Sequence, residues 1–359
     1  MGISASAVLT TSDLSDYLNV KVEPIYTESA LMEGLKSHGR IVYKKGGTDF
    51  KWRPKIIRRK ITAGNPYNVL ITFPSRNTRI EVTLPWVMYH LGEKLVKYDR
   101  LANENDPRKI VKLAQDILDG MADDFVTDFA TRLYTDGGAT GSQDLHGFEA
   151  MMSYSGVAGY MCVNNDTYAG KSTALAGLGG DWTGTWPQGT GDSEYAAWTP
   201  MIWDYTSASW TDTTNNWSHN WQEVLGMAMT YMRRNQKVIP DIVMLSSELY
   251  EQAAYSLKDQ ERFIATPAPK SASVGLKKFM YRDLEVAHEY NCTAACGYMF
   301  RWKDIELRSM QAQLVGNLKD TKIETGGEEL FAMDFYGNLR FECPAFFAKF
   351  ISETSGSTP

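Results

Sequence analysis

The stretch DPRKIVKLAQDILDGMADDFVTDFATRLYTDGG (Asp106–Gly138) decides the fold. Asp106 is a capping residue type and Pro107 stands in the first turn. Ile110, Leu113, Ile117, Met121, Phe125 and Phe129 then recur every three or four residues until Gly137 and Gly138 interrupt the pattern. This periodicity predicts one amphipathic helix of about 30 residues, roughly 45 Å long at a rise of 1.5 Å per residue and well beyond the usual length in a compact domain. The apolar stripe requires a core. The opposite face carries Asp116, Asp119, Asp123, Asp124 and Asp128. A rod of this length can span a flat subunit and present a row of carboxylates to a neighbour.

The complement to that row lies just upstream. Between Arg40 and Ile80 there are eleven basic residues (Arg40, Lys44, Lys45, Lys51, Arg53, Lys55, Arg58, Arg59, Lys60, Arg76 and Arg79) and one acid, Asp49. The net charge of the 359-residue chain is only −6, so a cationic segment is joined to an anionic body. Such opposition points to contact with something acidic, either nucleic acid or another copy of the same body. Within the segment, RIEVTLPW alternates Ile80, Val82 and Leu84 with polar residues, NVLITF is a β-rich run, and AGNP (Ala63–Pro66) is a turn signal, which together predict a long two-stranded hairpin. An isolated hairpin is marginal in water, so this one needs another surface to lie on. The polar stretch before it ends in SALMEGLKSHGR, read as a short helix stopping at Gly39.

Downstream of the long helix the composition turns to Gly, Thr, Ser, Asn and Trp. Asn164 to Trp221 holds seven of the ten tryptophans, which reads as folded loop and strand because so many indoles must be buried. Helices are predicted at WQEVLGMAMTYMRRN and, begun by Ser247, at ELYEQAAYSLKDQERF. Strands are predicted at DIVMLSS, LEVAHEY, YMFRW and IELRSM. AMDFYGNLRFECPAFFAKF reads as two strands about a turn at Tyr336-Gly337-Asn338, and SETSGSTP as a loose tail. The class is mixed α+β with interleaved parts and no internal repeat.

The motifs that could carry chemistry are weak. Gly170-Lys171-Ser172 copies the end of a phosphate-binding loop, but the glycine that makes its turn is replaced by Asn165, and no clear buried strand precedes it or helix follows it. It reads as a glycine-rich surface loop. His288, Cys292 and Cys296 are spaced four apart, without the two-residue cysteine spacing of a zinc site, and read as buried thiols beside a strand. Cysteines are sparse, so a reducing compartment is the simpler setting. No run of about 18 apolar residues suggests a membrane span, and the N-terminal stretch lacks the basic start and apolar run of a secretion signal. No catalytic, metal or cofactor-binding set is nominated.

Arm, short helix, basic hairpin, long helix, central mixed domain and returning strands, in this order, resemble the major capsid protein of tailed double-stranded DNA bacteriophages. LHGFEAMM (Leu145–Met152) looks like that family's step into its axial domain, and TYAGKSTALAGLGGDW looks like its Tyr-Gly-Gly-Ile-x-Arg segment followed by a tryptophan-rich stretch. PDIVMLSSELYEQAAYSLKDQERF is similar to one of its strand and helix pairs, and YGNLRFECPAFFAKF to its closing strands. This chain departs from the pattern at Ala169, which replaces the first glycine, and at Lys171-Ser172, near the place of the arginine.

The resemblance implies a Hong Kong 97-type fold. Its parts would be an amino-terminal arm and short helix (1–38), an extended loop made of the basic β-hairpin (39–92), a peripheral domain with the long helix as its spine (93–139), an axial domain (140–330), and return strands of the peripheral domain with a C-terminal tail (331–359). It implies assembly rather than catalysis: pentamers and hexamers closing an icosahedral shell around double-stranded DNA, held without sequence-specific contact. In that shell Lys51, Arg53, Lys55, Arg58, Arg59 and Lys60 on the extended loop would lie against Asp116, Asp119, Asp123, Asp124 and Asp128 of a neighbour's spine helix. The expected location is the virion capsid, and the host cytoplasm during assembly. Because the chain starts with Met and has no long helical extension before the arm, a separate scaffolding protein is expected, beside a portal protein and, in a decorated shell, a decoration protein. Neither cofactor nor membrane has a place in this reading. The alternatives are an encapsulin-like shell protein and a nucleic-acid or glycan-binding module.

Overall fold

The structure is a computed structural model that describes residues 20–43, 47, 49–55, 79–95, 107–139, 142–173, 198–212, 214–233, 237–258, 278–317 and 329–353. It opens with a helical turn, α1 (Ile25–Glu28), and the short helix α2 (Ala30–Ser37). Ser29 caps α2 by accepting from the Met32 N–H. At the other end Gly39 adopts φ 63°, which lets the Arg40 N–H reach back to the Leu35 carbonyl at 2.7 Å. Gly34 lies flat against Trp302: a Cβ there would fall 1.8 Å from the indole. The chain continues into β1 (Ile41–Tyr43), and the basic segment forms β2 (Asp49–Trp52) and β3 (Val82–Pro85), with Asp49 opposite Pro85 and Trp52 opposite Val82. A bridge between Lys55 and Arg79 carries the same register outward. The runs read as NVLITF and the AGNP turn lie outside the described residues.

After β4 (Val87–Leu95) comes the long helix α3 (Pro107–Arg132), 26 residues and about 39 Å. Leu118, Met121, Ala122, Phe125, Val126 and Phe129 are buried, and Lys112, Gln115, Asp116, Asp123, Asp124, Thr127 and Asp128 are exposed, so the expected two faces are present. The helix stops before the glycine pair. The Leu133 carbonyl accepts the Phe148 N–H at 3.1 Å, and Gly147 passes so close that a Cβ would sit 2.4 Å from that oxygen. A crossing segment therefore occupies the carbonyl that the next turn would need.

The chain then builds β5 (Tyr154–Ala158), β6 (Met161–Asn164), β7 (Thr167–Tyr168), β8 (Lys171–Ser172), β9 (Met201–Asp204), α4 (Trp217–Tyr231), β10 (Ile242–Leu245) and α5 (Ser247–Lys258). It closes with β11 (Lys278–Tyr281), β12 (Leu284–His288), β13 (Gly297–Phe300), β14 (Ile305–Ser309), β15 (Gly316–Asn317), β16 (Glu329–Phe341) and β17 (Ala348–Ile351). One sheet has eight strands in the order β11-β12-β10-β13-β17-β9-β6-β5. The other centres on β16, which pairs with β14 and β15 along one edge and with β4 along the other, β1 adding to β14.

The expected turn at Tyr336-Gly337-Asn338 is absent, because β16 runs straight through it. Gly337 is opposed by Ser309 on one side and Val87 on the other, and a Cβ there would meet the Arg308 carbonyl at 2.4 Å and the Phe335 ring at 2.5 Å. The glycine marks a close approach inside a strand. Sheet membership also divides the chain differently from the expected boundaries. β14 and β15, placed in the 140–330 segment, join β16. β17, placed with the return strands, sits in the middle of the eight-stranded sheet.

Alternation along that central sheet sorts its two faces. Ile242, Met244, Tyr298, Phe300, Ile202 and Ile351 point into a core shared with α2, α3 and the β16 sheet. Val243, Leu245, Met299, Met201, Trp203 and Phe350 point into a second core under α4 and α5. Of the seven tryptophans in the Gly/Trp-rich stretch, Trp182 and Trp186 lie outside the described residues; Trp198, Trp203, Trp210, Trp217 and Trp221 are all buried, but Trp217 and Trp221 belong to helix α4 rather than to loop or strand.

Candidate intersubunit surfaces

The hairpin alternates as β strands must: Lys51, Arg53 and Lys55 are exposed while Trp52 and Pro54 between them are buried, and across the pair Val82 and Leu84 are buried while Glu81 is exposed. Its base rests on the chain's own body. Trp52 donates its indole N–H to the Glu342 carbonyl at 3.0 Å, and the Arg340 guanidinium stands 5.7 Å from the Trp52 ring centroid. Arg340 is held in turn by Glu306 at 3.1 Å and Glu342 at 2.9 Å. The hairpin is thus anchored by an indole at its root, and its polar face turns to solvent.

That face is only partly neutralised. Arg53 bonds Glu81 at 2.6 Å, and this guanidinium holds the Glu81 carboxyl below its usual range. One step outward, Lys55 and Arg79 stand opposite each other and add two further cations to the exposed edge of the hairpin. Arg58, Arg59 and Lys60 lie outside the described residues.

On α3 the five aspartates are not equivalent. At about 100° per residue they spread over roughly half of the helix circumference. Asp119, half-buried on one flank, bonds Lys21 at 3.0 Å. Asp128, on the other flank, reaches Arg132 one turn later at 3.4 Å. Asp116, Asp123 and Asp124 are exposed between them and form no ion pair with a described residue. Among the described residues no ion pair joins the basic hairpin to these aspartates: Arg53 pairs with Glu81, and Asp119 with Lys21.

Sequence reasoning passed over the node that fixes α3 against the sheet. Arg132 forms an ion pair with Asp144, and its guanidinium stands 4.7 Å from the Tyr89 ring centroid. The Tyr89 hydroxyl accepts from the Leu145 N–H at 2.6 Å, and burial pushes its pKa up. Tyr89, Phe125, Phe129 and Met333 make the apolar part of a groove between α3 and β4, with Asp124 and Asp128 on its rim. A basic residue in the last turn of a helix was the available signal, since it faces the helix's own carbonyl end.

The weak chemical motifs resolve as structure. Lys171 belongs to the tight hairpin β7–β8, whose turn residues Ala169 (φ 50°) and Gly170 (φ 73°) both have positive φ as a type I′ turn requires. Cys292 and Cys296 are buried free thiols, and His288 shares a 2.8 Å hydrogen bond with the Ser247 hydroxyl. Among the described residues no group of three His, Cys, Asp or Glu side chains could hold a metal ion, and no helix is long and apolar enough to cross a membrane.

No protein-family model matches the chain, and no curated protein is similar to it in sequence. Solved structures are similar in fold. A chain of the cyanophage A-1(L) capsid asymmetric unit matches with a TM-score of 0.54 at 14% identity, over 89% of this chain and 91% of that one. The capsid of a native GTA particle matches at 0.51 and 12% identity, over 89% and 90%. That of an empty GTA particle matches at 0.50 and 14%, over 91% and 96%. Likeness at these identities is likeness of backbone architecture, and it extends over nearly the whole of each partner. The chain has the mixed α+β fold of phage capsid subunits, the Hong Kong 97-type fold that its motifs resemble.

Proposed function

We propose that this chain is the major shell subunit of a tailed-phage capsid, assembling as pentamers and hexamers into an icosahedral shell around double-stranded DNA. The observation that carries this reading is a fold shared with capsid subunits across about nine-tenths of both chains. Charge supports the mode of assembly: the hairpin residues Lys51, Arg53 and Lys55, with Arg58, Arg59 and Lys60 beyond them, lie over Asp116, Asp123 and Asp124 of a neighbour's α3, where no described side chain of the same subunit competes. In this arrangement Asp119 and Asp128 serve chiefly within the subunit, through Lys21 and Arg132. Each exposed ion pair contributes less than about 1 kcal/mol, so these contacts select the right neighbour while apolar burial over several interfaces stabilises the shell. DNA is enclosed without sequence-specific contact. A separate scaffolding protein, a portal protein and a decoration protein are the further partners of such a shell, built in the host cytoplasm and ending in the virion. The subunit's role is structural rather than catalytic.

The test is electron microscopy of the protein expressed with its neighbouring phage genes, for the wild type, for a hairpin reversal (Arg58→Glu, Arg59→Glu, Lys60→Glu) and for that reversal combined with Asp116→Lys, Asp123→Lys and Asp124→Lys. Closed shells or capsomer rings are expected from the wild type, folded but unassembled subunits from the hairpin reversal, and recovered assembly from the combination. Particles of normal yield from the hairpin reversal overturn the pairing. Only small monodisperse species from the wild type overturn the shell reading.

A further inference from the structure

The outer layer over the eight-stranded sheet is α4 packed on α5. Trp217 donates its indole N–H to the Leu249 carbonyl at 2.8 Å and Trp221 to the Ser256 hydroxyl at 2.7 Å, which fixes the spacing of the two helices. Between them runs an open groove of about 490 Å³, within the range of small-molecule sites. Trp221 and Ser256 lie along its floor, and His219, Gln222, Gln252 and Tyr255 along its sides. Among the described residues no Lys, Arg, Asp or Glu lines it, on a chain in which 22% of residues are charged. Tyr255 is 61% exposed, so its ring lies open to a ligand on this helix surface.

Each lining group narrows the ligand. An exposed ring offers a flat apolar face with a polar tip, which suits a molecule with one C–H face and polar edges. Gln222 and Gln252 each carry a planar amide with two N–H donors and one acceptor oxygen, and a tyrosine hydroxyl both donates and accepts. The Ser256 hydroxyl accepts from the Trp221 indole and donates to the Ala253 carbonyl, so toward a ligand it can only accept. Such a set satisfies groups that are donor and acceptor at once, as sugar hydroxyls are. The described lining offers none of the charged partners that phosphates and carboxylates favour.

The geometry points to a binding site for a neutral carbohydrate of one or two pyranose rings, stacked on Tyr255 and hydrogen-bonded by Gln222 and Gln252. The site stands across the eight-stranded sheet from α3, so it is separate from the hairpin and aspartate surfaces, and it does not rest on the assembly reading.

Saturation-transfer NMR and calorimetry on the full chain, with cellobiose, maltose, N,N′-diacetylchitobiose and methyl α-mannoside as probes and sialyllactose as the anionic control, test it. Saturable binding of at least one neutral sugar is expected, with sialyllactose weaker. Tyr255→Ala should weaken binding about ten-fold or more, Tyr255→Phe should stay within about three-fold of wild type, and Gln252→Ala should weaken it about five-fold, because the ring face and the amide act separately. Tyr255 and Gln252 are exposed helix positions where alanine is a good helix former, and circular dichroism checks that the variants are folded. Absence of saturable binding by every neutral probe overturns the site, as does unchanged affinity in both Tyr255→Ala and Gln252→Ala.

Discussion

His146 is a histidine held neutral by its surroundings. Its Nδ1 lies 2.9 Å from the Asn338 Nδ2, its backbone N–H donates to the Asn338 Oδ1 at 3.0 Å, and burial lowers its pKa to about 4. In the unfolded chain the ring protonates near its ordinary value of about 6.5, so between that value and about 4 the unfolded state binds more protons and stability falls as pH falls. Asp166 acts with the opposite sign. Burial pushes its carboxyl up to about 6 although Ser153 and Thr167 donate N–H bonds to it, so its contribution falls as pH rises from about 4 to about 6. The two windows overlap, and only a substitution separates them. His146→Gln, which keeps an acceptor for Asn338, should remove up to about 3 kcal/mol of acid sensitivity between pH 6.5 and 4, measured as urea midpoints of wild type and variant across that range. A variant whose midpoints parallel wild type would show that the ring is not held neutral. Neither shift is legible in the sequence, because each arises from burial by residues distant along the chain.

Among the elements, the β7–β8 hairpin is the clearest case of a local rule broken by one residue. A type I′ turn needs positive φ at both central positions, and Ala169 occupies the first at φ 50° where the capsid pattern has glycine. Alanine there carries a left-handed penalty of about 1–2 kcal/mol, partly offset by the greater freedom of glycine in the unfolded chain. Ala169→Gly is therefore expected to stabilise the subunit by about 0.5–1 kcal/mol, read as a rise in thermal midpoint, whereas Gly170→Val should lower it. A fall on Ala169→Gly would mean that the alanine methyl, in a residue only 8% exposed, packs better than the turn is strained. The long helix shows how far an element is legible. Its two faces follow from periodicity alone. Its end was misplaced because Phe148 and Gly147, which close it at Leu133, come from the following segment.

At the scale of the molecule, one buried ion pair ties the segment after α3 to the middle of the eight-stranded sheet. Lys349 on β17 is 5% exposed and bonds Glu149, which also accepts from the Tyr298 hydroxyl. Burial by itself would lower the lysine's pKa, but the Glu149 carboxylate more than offsets this and holds it above its ordinary value. Removing one member leaves a charge without a partner. Lys349→Met should cost about 3–5 kcal/mol, and Lys349→Met with Glu149→Leu should recover most of it. Chemical unfolding of the unassembled subunit gives the double-mutant cycle, and costs that simply add would show that the two residues do not act as a pair. Sequence reasoning named neither residue, since a lone lysine between aromatic residues in CPAFFAKF carries no sign of a glutamate 200 residues away.

What the sequence by itself determined was whatever depends on spacing within one element. That covers the long helix from Pro107 with its acidic face, the alternation of the described part of the basic hairpin, the burial of the described indoles, and the order of parts that resembles a capsid subunit. The tertiary structure alone decided what depends on close approach between distant segments. Gly337 passes through a strand because the Arg308 carbonyl and the Phe335 ring leave no room for a side chain. β17 enters the central sheet because Met299 and Met201 flank its first residue, Ala348. Asp119 and Asp128 already pair within the subunit, which leaves Asp116, Asp123 and Asp124 facing solvent. Local pattern reports the burial that each residue requires, and only packing selects the neighbour that supplies it.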